Sequence, residues 1–256
     1  MGFLRLRQIR EIFGYQFHYS SNKGIETRND FLDPMNSGVV IRDPKAYSIL
    51  KKISAVDGDY YTNSDNNFSG LVSPKDFFTN KEVLTSSWKG FSSTKTATQN
   101  IKYYLNKNIH KVANGWISLS VIPKNHPSIK LNKVFIPAAG GSGYDDQVLG
   151  KPFIGEENSV CSQTYLVIGY DPDKHNFTEN ECKNIITYIQ SRFFRYLVSI
   201  KKKTQNGPRG VYQFVPLQDF SKPWTDEELY AKYNLTEEEI EFIESMIKPM
   251  DLGGDK

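Results

Sequence analysis

Apolar positions recur in two different rhythms along this chain. From Val40 the segment VVIRDPKAYSILKKI opens with a short β-branched run and then turns helical, with Ala46, Ile49, Leu50 and Ile53 returning at spacings of three and four. Asp43 followed by Pro44 supplies a start, a capping side chain and then a residue whose φ already suits a first helical turn. Farther on, Thr178 with Glu181 makes a capping box, and ECKNIITYIQSRFFRYLVSIKKK predicts one long helix with Ile185, Ile189, Phe193, Leu197 and Ile200 along one side. Two more boxes, Thr225 with Glu228 and Thr236 with Glu239, start two short helices, the second carrying Ile240, Ile243 and Ile247. The other rhythm is that of strands. GWISLSVIP, LNKVFIPAAGG and SVCSQTYLVIGYD each read as one, ending in Pro, Gly or Asp. Residues 54–115, rich in Ser, Thr, Asn, Asp, Gly and Lys with aromatics among them, predict loops and short strands.

A mixed body followed by a helical tail predicts an α+β fold. Three segments are expected. Residues 1–39 form a basic lead and a turn-rich polar stretch, a remnant or a poorly ordered arm. Residues 40–220 form the main domain, and residues 221–256 a helical tail packed on it.

The chain has 256 residues, 38% hydrophobic and 24% charged, as expected of an ordinary folded domain. No apolar run approaches the roughly 18 residues of a membrane span. The N-terminal MGFLRLRQIREIFGYQF lacks the unbroken apolar core and the cleavage site of a signal peptide, so a cytoplasmic protein without a membrane partner is expected. Cys161 and Cys182 form no CxxC pair, and His18, His110, His126 and His175 lack metal-ligand spacing, so no metal site is expected. The net charge of +3 is unevenly spread, because the chain from Thr225 onward is acidic and the positive excess lies upstream. That distribution suits a nucleic-acid partner without requiring one.

Four phrases in the second half carry more information than charge does: VFIPAAGGSG, PFIGEENSVCSQTYLVIG, YIQSRFFRYLVSIKKKTQ and RGVYQFVPLQDFSKPWTDEELYAKYNLTEEEIEFIESMI. Their order resembles the C-terminal target recognition domain of adenine-specific DNA methyltransferases of type II restriction–modification systems, including enzymes that fuse methylation with cleavage. The resemblance extends more loosely upstream, through DPKAYSILKKI and FSGLVSPKDFF, to about Val40. It implies sequence-specific recognition of double-stranded DNA. In that family a preceding catalytic domain holds S-adenosylmethionine on a glycine-rich turn and grips the flipped adenine with an Asn/Asp-Pro-Pro-Tyr/Phe loop. Neither motif stands in this sequence. Asp33-Pro34, Asp43-Pro44 and Asp171-Pro172 are each without a second Pro, and AAGGSG is followed by YDDQVLGKP rather than by a helical pattern. The 39 residues before Val40 are fewer than such a domain needs. The expectation is a recognition module that binds no cofactor itself. Its S-adenosylmethionine and its chemistry would lie in a separate methyltransferase catalytic subunit. Two other readings stand beside it, a type II restriction endonuclease and an inactive remnant of a truncated methyltransferase gene.

A DNA reader needs cations for phosphates, and Arg, Asn, Gln, Ser or Thr for base edges. The stretch 73–102 supplies that mixture in Ser73, Lys75, Lys81, Lys89, Ser92, Ser93, Lys95, Thr96, Gln99 and Lys102, with Trp88 and Phe91 placed to anchor loops. An ordinary solvated surface has the same composition. Gly140, Gly141 and Ser142 offer either a close backbone approach to a partner or a simple tight turn. Arg192, Lys202 and Arg209 are further DNA-contact candidates, although cations ending a helix also complement its dipole. Glu181-Cys182-Lys183 matches half of a nuclease motif in form, but Glu181 is explained by its capping box.

Overall fold

The computed structural model describes residues 4–9, 14–21, 24–30, 38–41, 43–108, 111–140 and 147–250. Strands β1 (Leu4–Ile9), β2 (Gly14–Ser21) and β3 (Gly24–Asp30) pair as an antiparallel meander, a set of elements that the turn-rich composition of the lead did not announce. Helix α1 (Pro44–Asp57) follows. Asp43 caps it by accepting the Lys45 N–H at 2.8 Å, and Ala46, Ile49, Leu50 and Ile53 are all buried, as the spacing predicts.

Next come β4 (Ile101–Asn108), β5 (Lys111–Ile117), β6 (Lys133–Pro137), β7 (Phe153–Gly155), β8 (Ser159–Cys161) and β9 (Tyr165–Ile168). The reading of GWISLSVIP as one strand fails after Ile117, where Leu119–Val121 tightens into a 3-10 turn. SVCSQTYLVIGYD is two strands, β8 and β9, in different sheets: β5-β4-β8, with β8 parallel to β4, and the antiparallel β7-β6-β9.

The β6–β9 pair lies between two apolar cores. Its side chains alternate across the pleat with period two. Val134, Ile136, Leu166 and Ile168 join an apolar core with the helices, whereas Phe135, Tyr165 and Val167 join a second core with β4, β5 and β8. Both faces are therefore buried, so VFIP and YLVI read as apolar runs rather than as alternation, with Lys133 at the start of β6 the exception. The fold is of the expected α+β class, and beyond the N-terminal meander it stacks helices, the buried β7-β6-β9 sheet and the β5-β4-β8 sheet.

The long helix predicted across residues 179–203 is two helices, α2 (Glu179–Gln190) and α3 (Arg192–Lys201). The break is Ser191, in extended conformation at φ −60° and ψ 148°. Its hydroxyl accepts the Phe194 N–H and donates to the Tyr188 carbonyl, and the Asp226 carboxylate accepts the N–H groups of Arg192 and Phe193 at 3.0 and 2.9 Å. Three donors at the new N-terminus are thereby satisfied from outside the helix. Apolar periodicity passes through the break because both helices face the same core, with Ile185, Ile189, Phe193 and Leu197 buried.

Helices α4 (Asp226–Lys232) and α5 (Glu237–Met246) begin at the two remaining capping boxes, and all three boxes have both reciprocal hydrogen bonds. These helices pack on α1 and α3 through Tyr233 stacked on Phe193 (5.2 Å between centroids), the Tyr233 hydroxyl donating to Asp57, and Glu239 accepting from Lys52 and Ser48. Among the described residues no helix is long and apolar enough to cross a membrane.

Candidate nucleic-acid interface

The loop leading into β4 is built on an aromatic base. Trp88, Phe91 and Tyr103 form a triangle with ring centroids 5.6–6.4 Å apart. Phe91 lies against Gly115, where an added Cβ would meet its ring at 2.5 Å, so that close approach requires glycine. Ser92 exchanges two backbone hydrogen bonds of 2.8 Å with Trp116 and so extends the sheet past β5 by one bridge. Thr96 and Gln99 close the far end, through Thr96 N–H to the Gln99 carbonyl at 3.1 Å and Gln99 N–H to Thr96 Oγ1 at 2.9 Å. Residues 93–98 between these ties are all exposed. The excursion is pinned at both ends and presents its polar side chains outward.

Lys75, Lys81, Lys89 and Lys95 are exposed along this stretch, and none of them forms an ion pair among the described residues. Lys95 places its ammonium 5.2 Å from the centroid of the Trp116 ring, a cation–π contact made by an otherwise exposed side chain. Lys102 is committed instead. It bonds Glu156 Oε1 at 2.7 Å, and Tyr104 donates to Glu156 Oε2 at 2.5 Å. Burial opposes the charges of Lys102 and Glu156. The hydrogen bonds within the trio outweigh it, raising the lysine and lowering the glutamate from their usual values. Burial and the bond to Glu156 push the Tyr104 phenol up to about 12.

Several residues picked out from sequence prove to be spent inside the fold. Ser73 is fully buried, and its hydroxyl accepts the Val167 N–H at 3.0 Å, tying the preceding 3-10 turn to β9. Lys202 is 1% exposed and donates to the Gly140 carbonyl at 3.0 Å. As DNA contacts both are corrected, because a side chain without access to solvent cannot meet a phosphate or a base. Arg209 donates to the Ser69 carbonyl at 2.7 Å and approaches the Tyr170 hydroxyl, and Arg192 pairs with Glu244 at 2.7 Å. Their charges are used to join segments distant in sequence. Gly140 donates to the Gln205 carbonyl at 3.1 Å, whereas Gly141 and Ser142 lie outside the described residues. The next described element after β6 is strand β7, so the described part of this loop does not fit the strand–turn–helix of a nucleotide cradle. Glu181 is held by its cap, Cys182 is buried, and Lys183 pairs with Glu179 at 2.7 Å, so each residue of that triplet has a structural role.

The structure thus groups Lys89, Ser92, Lys95 and Gln99 on one pinned loop, with Lys75 exposed on the loop before it. It adds Trp116, Glu156, Glu157 and Asn158, which line the same depression as Lys95. None of these four stands out in the sequence, because strand register is needed to set Trp116 beside Lys95. No protein-family model matches the chain, and no curated protein matches its sequence.

Proposed function

We propose that this chain is a sequence-specific double-stranded DNA recognition module that positions an adenine-N6 methyltransferase domain carried on a separate chain. The observation that carries this reading is the pinned loop 88–100. It exposes Lys89 and Lys95 for phosphates, with Ser92 between them and Thr96 and Gln99 just beyond for polar contacts. Phosphate contacts set register and orientation, while base-edge contacts specify sequence. A loop held by ring packing and backbone bonds loses little conformational freedom on binding, so its contacts are not offset by a large ordering cost. The ordered phrases that resemble methyltransferase recognition domains support the same reading, as does the positive excess upstream of Thr225. S-adenosylmethionine and the base-flipping step belong, in this account, to the catalytic partner.

The test is fluorescence anisotropy of the whole chain with mixed-sequence duplex DNA across a salt series. Binding should weaken steadily with salt, with a log–log slope of about −0.9 for each phosphate contacted. Absence of duplex binding at low salt would overturn the proposal.

A further inference from the structure

Beside Lys95 the surface dips into a cleft of about 440 Å³, at the start of β4, the end of β5 and the entry to β8. Its walls are fixed. The Trp116 ring stands on β5 under the Lys95 ammonium, and the Lys102–Glu156–Tyr104 trio faces it, both oxygens of Glu156 already accepting. The rim is different. Glu157 and Asn158 are exposed, and neither side chain has a hydrogen bond or ion pair among the described residues. The backbone beneath them is held tightly. Asn158 has φ 58°, its N–H donates to the Ile129 carbonyl at 2.9 Å, and its carbonyl accepts the Lys102 N–H at 2.9 Å. A left-handed residue bonded on both sides keeps its side chain on a fixed base, as a site of recognition requires.

The chemistry of the rim restricts what it can meet. An ionised glutamate accepts hydrogen bonds and donates none, and beside phosphates it is repelled unless it accepts from an amine. At the major-groove edge the amines are adenine N6 and cytosine N4, and an asparagine amide matches adenine N6 and N7 together. We propose, on the footing of the DNA-binding reading, that Glu157 and Asn158 read an amine-bearing base edge in the major groove while Lys95 holds an adjoining phosphate. The carboxylate then lowers affinity for DNA in general and returns it at one base pair. It acts as a specificity determinant and not as an anchor.

The experiment is enrichment of randomised duplexes by the full chain, run in parallel for wild type, Glu157→Ala and Asn158→Gly, with affinity for mixed-sequence duplex measured alongside. Glycine is chosen because it tolerates the positive φ at 158. The expected result is a motif whose preference falls about tenfold at one position in each variant. Mixed-sequence affinity should be unchanged for Asn158→Gly and unchanged or higher for Glu157→Ala. Whether adenine or cytosine is the base lost identifies which amine is read. A motif identical in all three proteins would overturn the inference and leave sequence-specific DNA binding standing, whereas a wild type that binds duplex without sequence preference would overturn both the inference and the sequence-specific reading. A parallel tenfold fall on mixed-sequence DNA would also overturn it, by making the two residues general supports. No binding by wild type would overturn the proposed function itself.

Discussion

The helical layer and the outer strand layer use their polar residues in opposite ways. Around α1–α5 the polar groups turn inward and join distant segments: Asp226 caps α3, Gln218 donates to the Tyr233 hydroxyl, Glu239 holds Lys52 and Ser48, and Arg209 reaches Ser69. Around β4, β5 and β8 the aromatic rings turn inward, while Lys75, Lys89 and Lys95 turn out. These polar groups of the first region meet partners within the fold, whereas the three lysines of the second form no ion pair among the described residues. Under the proposed function, the unpaired lysines of the loop 88–100 are the groups that meet DNA phosphates, and the regions differ in where their polar groups end.

Four experiments sharpen or break this contrast. The largest effect is expected for Phe68→Ala. Phe68 is fully buried, with Phe194 at 4.8 Å and Tyr212 and Tyr188 at about 6 Å between centroids. Denaturant unfolding should show a loss of about 3–5 kcal/mol. A loss below about 1 kcal/mol would mean that the helical core is not the stabilising half. Asp226→Ala comes next, removing a carboxylate that accepts two helix N–H groups, at an expected cost of about 2 kcal/mol in the same assay. Burial raises the Asp226 carboxyl above its usual value, so an effect near zero would mean that its desolvation cancels the cap.

Lys133 gives a pH signature at the boundary between the layers. It is fully buried on β6, donating to the carbonyls of Ile129, Leu131 and Glu156, and burial lowers its ammonium to about 8. The unfolded chain holds that proton up to roughly 10.4, so between these values the unfolded state binds more protons and this residue's contribution to stability rises with pH. Cys161 and Cys182 act in the opposite direction, because burial raises both thiols while an unfolded thiol ionises near 8.5. The informative quantity is therefore the stability of wild type minus that of Lys133→Met. It should increase by about 1.5 kcal/mol between pH 8 and 9.5. A flat difference would show that the three carbonyls keep the ammonium near its ordinary value.

Much of the helical layer was legible in local sequence. A capping box is a reciprocal bond between residues three apart, and all three boxes formed. The break at Ser191 was not legible, because the carboxylate that caps α3 comes from Asp226, 34 positions away from Arg192. The two-sided burial of β6 and β9 hid which sheet each belonged to, since a strand apolar on both faces has no alternation to read. For the candidate interface, the loop and its Trp88–Phe91 anchor followed from composition. Ser73 and Lys202 were misjudged because burial is set by neighbours far along the chain. Glu157 and Asn158 look like ordinary turn residues until parallel pairing of β8 with β4 sets them beside Lys95 and Trp116.

The smallest effect on stability and the largest on binding should coincide in one protein, Lys89→Ala/Lys95→Ala. Its most direct control is Lys51→Ala/Lys183→Ala, two exposed lysines on α1 and α2. Duplex binding across a salt series, compared with wild type, is the measurement. The loop pair should reduce the salt slope by about two while unfolding free energy stays within about 0.5 kcal/mol, and the helix pair should leave the slope as it was. Equal slopes for wild type and the loop pair, or an equal loss in the helix pair, would contradict the claim that the outer strand layer is the face that meets DNA.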